Sequence, residues 1–184
     1  MFDCKDFFFR KIEKHDLVDL LEYKKDSWRY THKTSILNEQ NQIKWFEKVC
    51  SSDVSQPKDL FMVAQFNSKE SLPYHTALFR DNAQFGFFYI TDIDYINRSA
   101  NVSWGVYSIL RGKKYGNKLV KSGVEFCFKN MNLRRLNCEI IEYNQPSLKC
   151  ATNAGFIKEG VKRKSVFKDG EYHDSILLGI LDEL

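Results

Sequence analysis

The stretch R-G-K-K-Y-G-N-K-L-V, residues 111–120, places two glycines and four cationic side chains directly before an apolar helical pattern. Upstream, A-N-V-S-W-G-V (100–106) is rich in aromatic and β-branched residues and predicts a strand. Downstream, Leu119, Val120, Val124 and Phe128 recur at helical spacing. The order is therefore strand, basic glycine-containing turn, helix. A helix N-terminus presents N–H groups without intrahelical partners and a positive partial charge. Glycines let successive N–H groups converge on one point, so such a turn suits a pyrophosphate. The same residues also fit a solvated loop that caps a helix. Neither G-x-G-x-x-G nor G-x-x-x-x-G-K-[ST] is present, which excludes the Rossmann and Walker patterns.

Outward from this turn the chain alternates between the two periods. Phe7 to Lys11 reads as a short strand, and His15 to Lys25 as a helix with the apolar stripe Leu17, Val18, Leu20 and Leu21. Asn38 to Lys48 reads as a second helix, with Ile43, Phe46 and Val49 on an inner face and Trp45 beside them. Residues 51–59 form a loop by their Ser, Asp and Pro content. F-M-V-A-Q-F and F-G-F-F-Y-I predict two strands ahead of 100–106. R-L-N-C-E-I-I-E is a strand, S-L-K-C-A-T-N-A a helix closed by a left-handed cap at Gly155, and residues 161–181 a hairpin turning at Asp169-Gly170. The expected fold class is α/β: one domain over residues 1–184 with a mixed, mostly antiparallel sheet.

The chain has 184 residues, of which 43% are hydrophobic and 28% charged, enough for a substantial core. A net charge of +4 falls below what a dedicated nucleic-acid binder carries, and the cations are dispersed among acids, so no nucleic-acid partner is expected. No apolar run approaches the roughly 18–20 residues of a membrane span. The opening M-F-D-C-K-D-F-F-F-R has acids interrupting its apolar run, unlike a signal peptide. Five dispersed cysteines without C-x-x-C suggest reduced thiols in a cytoplasmic setting, and no zinc-ligand spacing is present.

The segment N-Q-P-S-L-K-C-A-T-N-A-G-F (144–156) follows a strand and opens a helix whose Asn and Ser serve as caps. Taken with 111–120 at this spacing, it resembles the GNAT acetyltransferase superfamily over nearly the whole chain. The branch it is most similar to contains ribosomal-protein N-terminal, spermidine and amino-sugar acetyltransferases. The resemblance implies the GNAT fold, with a central sheet whose middle strands splay apart, and acetyl-CoA as co-substrate. A turn of the form [QR]-x-x-G-x-[GA] holds the pyrophosphate in such enzymes. Arg111 and Gly116 match its ends, and Gly112, Lys113, Lys114, Tyr115 and Asn117 complete the implied cofactor-binding set. Lys114 stands where the family has glycine. A left-handed backbone there costs a lysine about 1 kcal/mol, and an ordinary helical conformation is the alternative.

The resemblance also implies that Trp104, Gly105 and Val106 line the pantetheine, with Asn144 and Ser147 at the second helix start. Direct acetyl transfer needs a proton acceptor for the amine, an oxyanion donor and a proton for the thiolate. Glu139 occupies the strand position of a base in some relatives, Asn144 and Ser147 are the further catalytic candidates, and Ala151 replaces a tyrosine acid. W-R-Y-T-H-K-T-S-I-L-N-E-Q-N-Q-I-K-W-F (28–46) resembles substrate-side helices and I-T-D-I-D-Y-I-N-R-S-A resembles an amino-sugar branch segment, which makes Trp28, His32, Asp92 and Asp94 substrate-binding candidates. His173 is a lesser one. The expected acceptor is a small-molecule amine such as an amino-sugar nucleotide, with a protein N-terminus or a polyamine as alternatives. The residues at 101, 114 and 151 also fit a non-catalytic CoA-binding module. The carboxy-terminal hairpin implies a homodimer by its likeness to the branch.

Overall fold

The computed structural model describes residues 2–4, 6–32, 38–50, 55–67 and 84–183. Among them the strands are β1 (Phe2–Cys4), β2 (Phe7–Lys11), β3 (Leu60–Phe66), β4 (Gln84–Asp94), β5 (Ser99–Val106), β6 (Arg135–Ile141), β7 (Ile157–Lys168) and β8 (Glu171–Leu181). The helices are α1 (Leu17–Asp26), α2 (Glu39–Cys50), α3 (Tyr115–Lys129) and α4 (Gln145–Asn153). Short 3-10 turns occupy Lys14–Asp16, Trp28–Tyr30 and Ser108–Leu110.

The strands form one sheet in the order β1-β2-β3-β4-β5-β6-β8-β7. Neighbours are antiparallel except β5 and β6, which are parallel because α3 carries the chain back across the sheet. Side chains on successive strand residues point to opposite faces, so β3 and β4 feed two cores. Phe9, Phe88, Val102 and Leu136 meet Leu119 and Val120 of α3 on one face. Ile12, Phe61, Val63 and Phe87 meet Leu17 and Leu20 of α1, with Trp45 and Phe46 of α2 beside them, on the other. Each such fully buried side chain contributes about 1.5–3 kcal/mol of transfer free energy.

The β5–β6 junction positions the site. Its pairing covers Ser99/Arg135, Ala100/Leu136 and Asn101/Asn137 and then stops. Both strands continue past it, β5 to Val106 against β4 and β6 to Ile141 against β8. The two central strands thus diverge toward their C-terminal ends, leaving a gap in the middle of the sheet.

Three details differ from the sequence reading. Phe2–Cys4 adds a short edge strand, paired with β2, that the sequence does not announce. The hairpin's first strand starts at Ile157 rather than 161, while the turn stands at Asp169-Gly170 as expected, both residues having positive φ. The inner face of α2 is Gln42, Trp45 and Phe46, whereas Ile43 faces solvent at 38% exposure. The larger apolar area of Trp45 takes the seat, set edge-on to Phe61 at 5.1 Å, and Gln42 accepts a hydrogen bond from Lys24 at 2.9 Å. The side chain of Val49 and residues 51–54 lie outside the described set. Gly155 caps α4 with φ 101°, as expected.

Candidate active site

The basic turn is built by two left-handed residues. After β5, the turn at Ser108–Leu110 buries Leu110, and Arg111 is extended. Gly112 then takes φ 77° and Lys114 takes φ 66°, ψ 3°, as the N-cap of α3. Lys114 thus adopts the left-handed conformation, not the helical alternative, because the chain must turn sharply before Tyr115 begins the helix. Gly112, Lys113 and Lys114 are exposed, and the first N–H groups of α3 have no partner within the helix. N–H groups without a helix partner beside two exposed lysines are the arrangement that favours an anion.

The remaining side chains of the turn are fixed to the fold. Arg111 donates from Nε to the Val106 carbonyl at 3.1 Å, pairs with Asp26 of α1 at 2.8 Å and lies 5.8 Å from the Tyr23 ring centre. Its charge fastens the turn to β5 and α1. The Tyr115 ring packs against Phe66 and Phe85, and Asn117 accepts from Asn153 of α4 at 3.2 Å. Tyr115 and Asn117 therefore contribute backbone to the turn while their side chains hold α3 in place. A Cβ on Gly116 would stand 3.0 Å from Cys150 Sγ, so α3 and α4 meet closely there.

Trp104, Gly105 and Val106 line the β5 side of the gap. The Trp104 ring faces the α3/α4 core, 6.1 Å from Phe156. Gly105 lies under α1: a Cβ on it would come within 2.3 Å of the Tyr23 hydroxyl and 2.7 Å of Phe87. Burial pushes the Tyr23 hydroxyl above the ordinary tyrosine range. On the other side of the gap, Asn144 caps α4 and accepts from the Ser147 N–H at 3.4 Å. The N-termini of α3 and α4 thus stand at the same end of the sheet as the gap.

Glu139 lies on β6 two residues beyond the last β5–β6 pair, on the face opposite Cys138 and Ile140. Its carboxylate receives Lys162 Nζ of β7 at 2.6 Å and stands 3.5 Å from Nε2 of His32. Desolvation pushes the Glu139 carboxyl up. The hydrogen bond from Lys162 and the charges of His32 and Lys162 outweigh it and hold the group below the usual carboxylate range. His32 Nε2 is also 3.0 Å from Oγ of Ser175, a fully buried residue of β8. Burial holds the His32 imidazole below the ordinary histidine range, Glu139 pulling it up and Lys162 and Lys168 pulling it down.

The segment that carries His32 is docked on the hairpin. The Trp28 carbonyl accepts from the buried Lys168 at 3.1 Å, and the same ammonium lies 5.1 Å from the Trp28 ring centre. Arg29 pairs with Asp169 at 2.8 Å, and its carbonyl accepts from the Tyr143 hydroxyl. His173 Nδ1 stands 3.6 Å from Glu142, with its ring edge-on to Tyr143.

The sequence candidates thus divide. Gly112, Lys113, Lys114, Gly116, Gly105, Val106, Glu139, Asn144, Ser147, Trp28 and His32 come to one end of the sheet. Asp92 and Asp94 do not. Asp94 Oδ1 accepts from the N–H groups of Ile96 and Asn97 in the β4–β5 turn, and hydrogen bonds from Asn97 hold its carboxyl below the usual range. Asp92 accepts from Asn101 at 3.1 Å, and Asn101 is separated from Val106 by roughly 17 Å of extended strand. These acids shape a turn at the opposite end of β5. Conversely, Lys162, Lys168 and Ser175 join the site without having been expected there. No spacing in the sequence pointed to them. Burial pushes the Cys127 thiol up, and that of Cys138 up to about 12, so neither serves as a nucleophile at neutral pH. No described helix is long and apolar enough to cross a membrane, and the described residues hold no His/Cys/Asp/Glu group suited to a metal ion.

Known proteins resemble this chain in sequence and in fold. A family model described as an acetyltransferase (GNAT) domain matches residues 6–157. An uncharacterized N-acetyltransferase, YokL, from the SPbeta prophage of Bacillus subtilis is 29% identical over 103 residues, which span 56% of this chain and 58% of that protein. The putative ribosomal N-acetyltransferase YdaF of the same organism is 24% identical, covering 98% of this chain and 96% of its own. The structure of a Vibrio cholerae spermidine N-acetyltransferase, in complex with CoA and spermine, superposes with a TM-score of 0.82 over 97% of this chain and 96% of that one, at 17% identity.

Proposed function

The chain belongs to the GNAT acetyltransferase family, and from that premise we propose that it transfers the acetyl group of acetyl-CoA directly to a primary amine. One observation carries the proposal: the left-handed turn at Gly112 and Lys114 opens α3 at the end of the sheet where β5 and β6 separate. The N–H groups of 113–117 fit a pyrophosphate, and the free edge of β5 at Trp104–Val106 fits the pantetheine arm beside α4. When bound, acetyl-CoA supplies an activated thioester carbonyl in the gap.

The chain's own residues supply the rest. The turn and α3 meet the gap from one sheet face, and Glu139 with His32 from the other, so donor and acceptor approach from opposite sides. Backbone N–H groups freed where β5 leaves β6 are placed to stabilise an oxyanion. Removal of the amine proton belongs to the polar group around Glu139. Asn144 and Ser147 hold the first turn of α4 against the gap, and Ser147 or a water serves the departing sulfur, since Ala151 has no donor.

The acceptor we assign is a small-molecule amine that also carries an anionic group, such as an amino-sugar nucleotide. Arg29, more than half exposed beside Asp169 on the hairpin, supports it. The second reading, a protein N-terminus, is favoured by the likeness to a putative ribosomal N-acetyltransferase along nearly the whole chain. The test is thiol release from acetyl-CoA with a panel of amino-sugar nucleotides, polyamines and peptide amines. Turnover only with peptides or only with polyamines reverses the choice of acceptor. Tight acetyl-CoA binding in calorimetry with no turnover of any amine rejects transfer altogether and leaves a CoA-binding module.

A further inference from the structure

Beyond the acetyltransferase reading, on which it rests, the cluster around residue 175 divides the labour of proton removal. Three elements contribute: Glu139 from β6, Lys162 and Ser165 from β7, and Ser175 from β8, with His32 laid across them from the segment after Trp28–Tyr30. Ser175 is fully buried, its Oγ 3.0 Å from Ser165 Oγ and 3.0 Å from His32 Nε2. A hydroxyl has one proton to give. Ser165 gives its own to the Lys162 carbonyl at 3.1 Å, so Ser175 donates to Ser165 and its lone pairs face His32. Nε2 of His32 must be the protonated nitrogen, donating to Ser175 with Glu139 3.5 Å away. Nδ1 is left as the basic nitrogen. Glu139 already accepts from Lys162 at 2.6 Å, and a carboxylate so stabilised is a weak proton acceptor.

We infer that His32 is the group that takes the proton from the attacking amine, and that Glu139 and Ser175 are positioning residues that fix its tautomer and ring. The free amine nitrogen forms a bond to the thioester carbonyl carbon. The proton lost from that nitrogen passes to Nδ1 of His32. The carbon–sulfur bond breaks, its electron pair leaves with sulfur, and the thiolate takes up a proton from solvent while the imidazolium returns one. The charged groups facing His32 are Glu139 from β6 and Lys162 and Lys168 from β7.

The test is the pH profile of kcat/KM for thiol release, using whichever amine of the panel turns over. His32→Gln is expected to lower kcat/KM by about a hundredfold or more and to remove the acidic limb. Glu139→Gln is expected to keep the limb but move it to lower pH, because the carboxylate raises the imidazole. Lys162→Met is expected to move it to higher pH. Nitrogen-15 NMR of the histidine ring gives a readout independent of turnover, and the Nε2–H tautomer is expected in the free protein. Wild-type protein that turns over no amine rejects the acetyltransferase reading and this inference with it. A turning-over wild type whose limb survives His32→Gln, or vanishes in Glu139→Gln, rejects the inference alone, as does an Nδ1–H tautomer.

Discussion

At the scale of the residue, Lys114 is the most informative position. Its φ of 66° costs a non-glycine residue about 1 kcal/mol, yet the turn needs that conformation to aim its N–H groups. The backbone therefore takes a conformation that glycine adopts without strain, and the side chain adds an exposed cation beside the turn. Lys114→Gly removes the strain but gives the unfolded chain more freedom. Stability in urea denaturation is expected to stay level or rise by up to about 1 kcal/mol. Acetyl-CoA affinity in calorimetry is expected to stay intact or improve. A loss above about tenfold, roughly 1.4 kcal/mol, would show that the ammonium is itself a ligand. The sequence made the turn legible through R-G-K-K-Y-G, but not the fate of each side chain. Arg111 looks like a phosphate ligand in one dimension and is tied to Asp26 in three.

At the scale of elements, the site depends on how α1 and the hairpin hold their neighbours. Tyr23 of α1 stands edge-on to Phe87 at 4.7 Å and to Tyr107 at 5.9 Å, directly over Gly105. A methyl at residue 105 has no room, and the rings around it are mutually packed. Gly105→Ala is expected to cost about 1–3 kcal/mol in stability by overpacking. It is expected to lower kcat at least tenfold, because α1 also carries Asp26 and leads to Trp28–His32. Unchanged kcat in the folded variant would show that α1 does not set the gap. The hairpin acts through Lys168, which holds the Trp28 carbonyl from a buried position. Methionine fills a similar volume without the cost of keeping an ammonium out of water, which offsets the lost bond to the Trp28 carbonyl. Lys168→Met should therefore keep the melting temperature within a few degrees while raising KM for the amine severalfold, as the segment with His32 loses its anchor. A drop in melting temperature with KM unchanged would make Lys168 purely structural.

At the scale of the whole molecule, the alternation of strand and helix periods along the chain was enough to place the central strands, α3, α4 and the final turn. Periodicity is a local property and these elements are locally consistent. What eluded it is set by contacts distant in sequence. β1 exists because β2 offers an edge, and the inner face of α2 is chosen by Phe61. The Asp92–Asp94 segment looked like a substrate loop until the sheet put it at the far end of β5. One polar cluster joins residue 32 to residues 139, 162 and 175, a juxtaposition that no spacing encodes. That same juxtaposition couples the site to the stability of the fold. His32 has its folded pKa lowered, so between that value and the ordinary histidine value near 6.5 the unfolded chain binds more protons than the native one. Stability then rises with pH. Its contribution is present above about 6.5 and is lost as pH falls through the folded value. Glu139, also lowered, adds a second loss below the ordinary carboxylate range. Thermal unfolding followed from pH 7.5 downward is expected to show the melting temperature falling below about pH 6.5, with a shallower slope in His32→Gln. Equal slopes in the two proteins would mean that the imidazole is as free to take up a proton in the native state as in the unfolded one, and that the enclosure drawn around it by β6, β7 and β8 does not exist in solution.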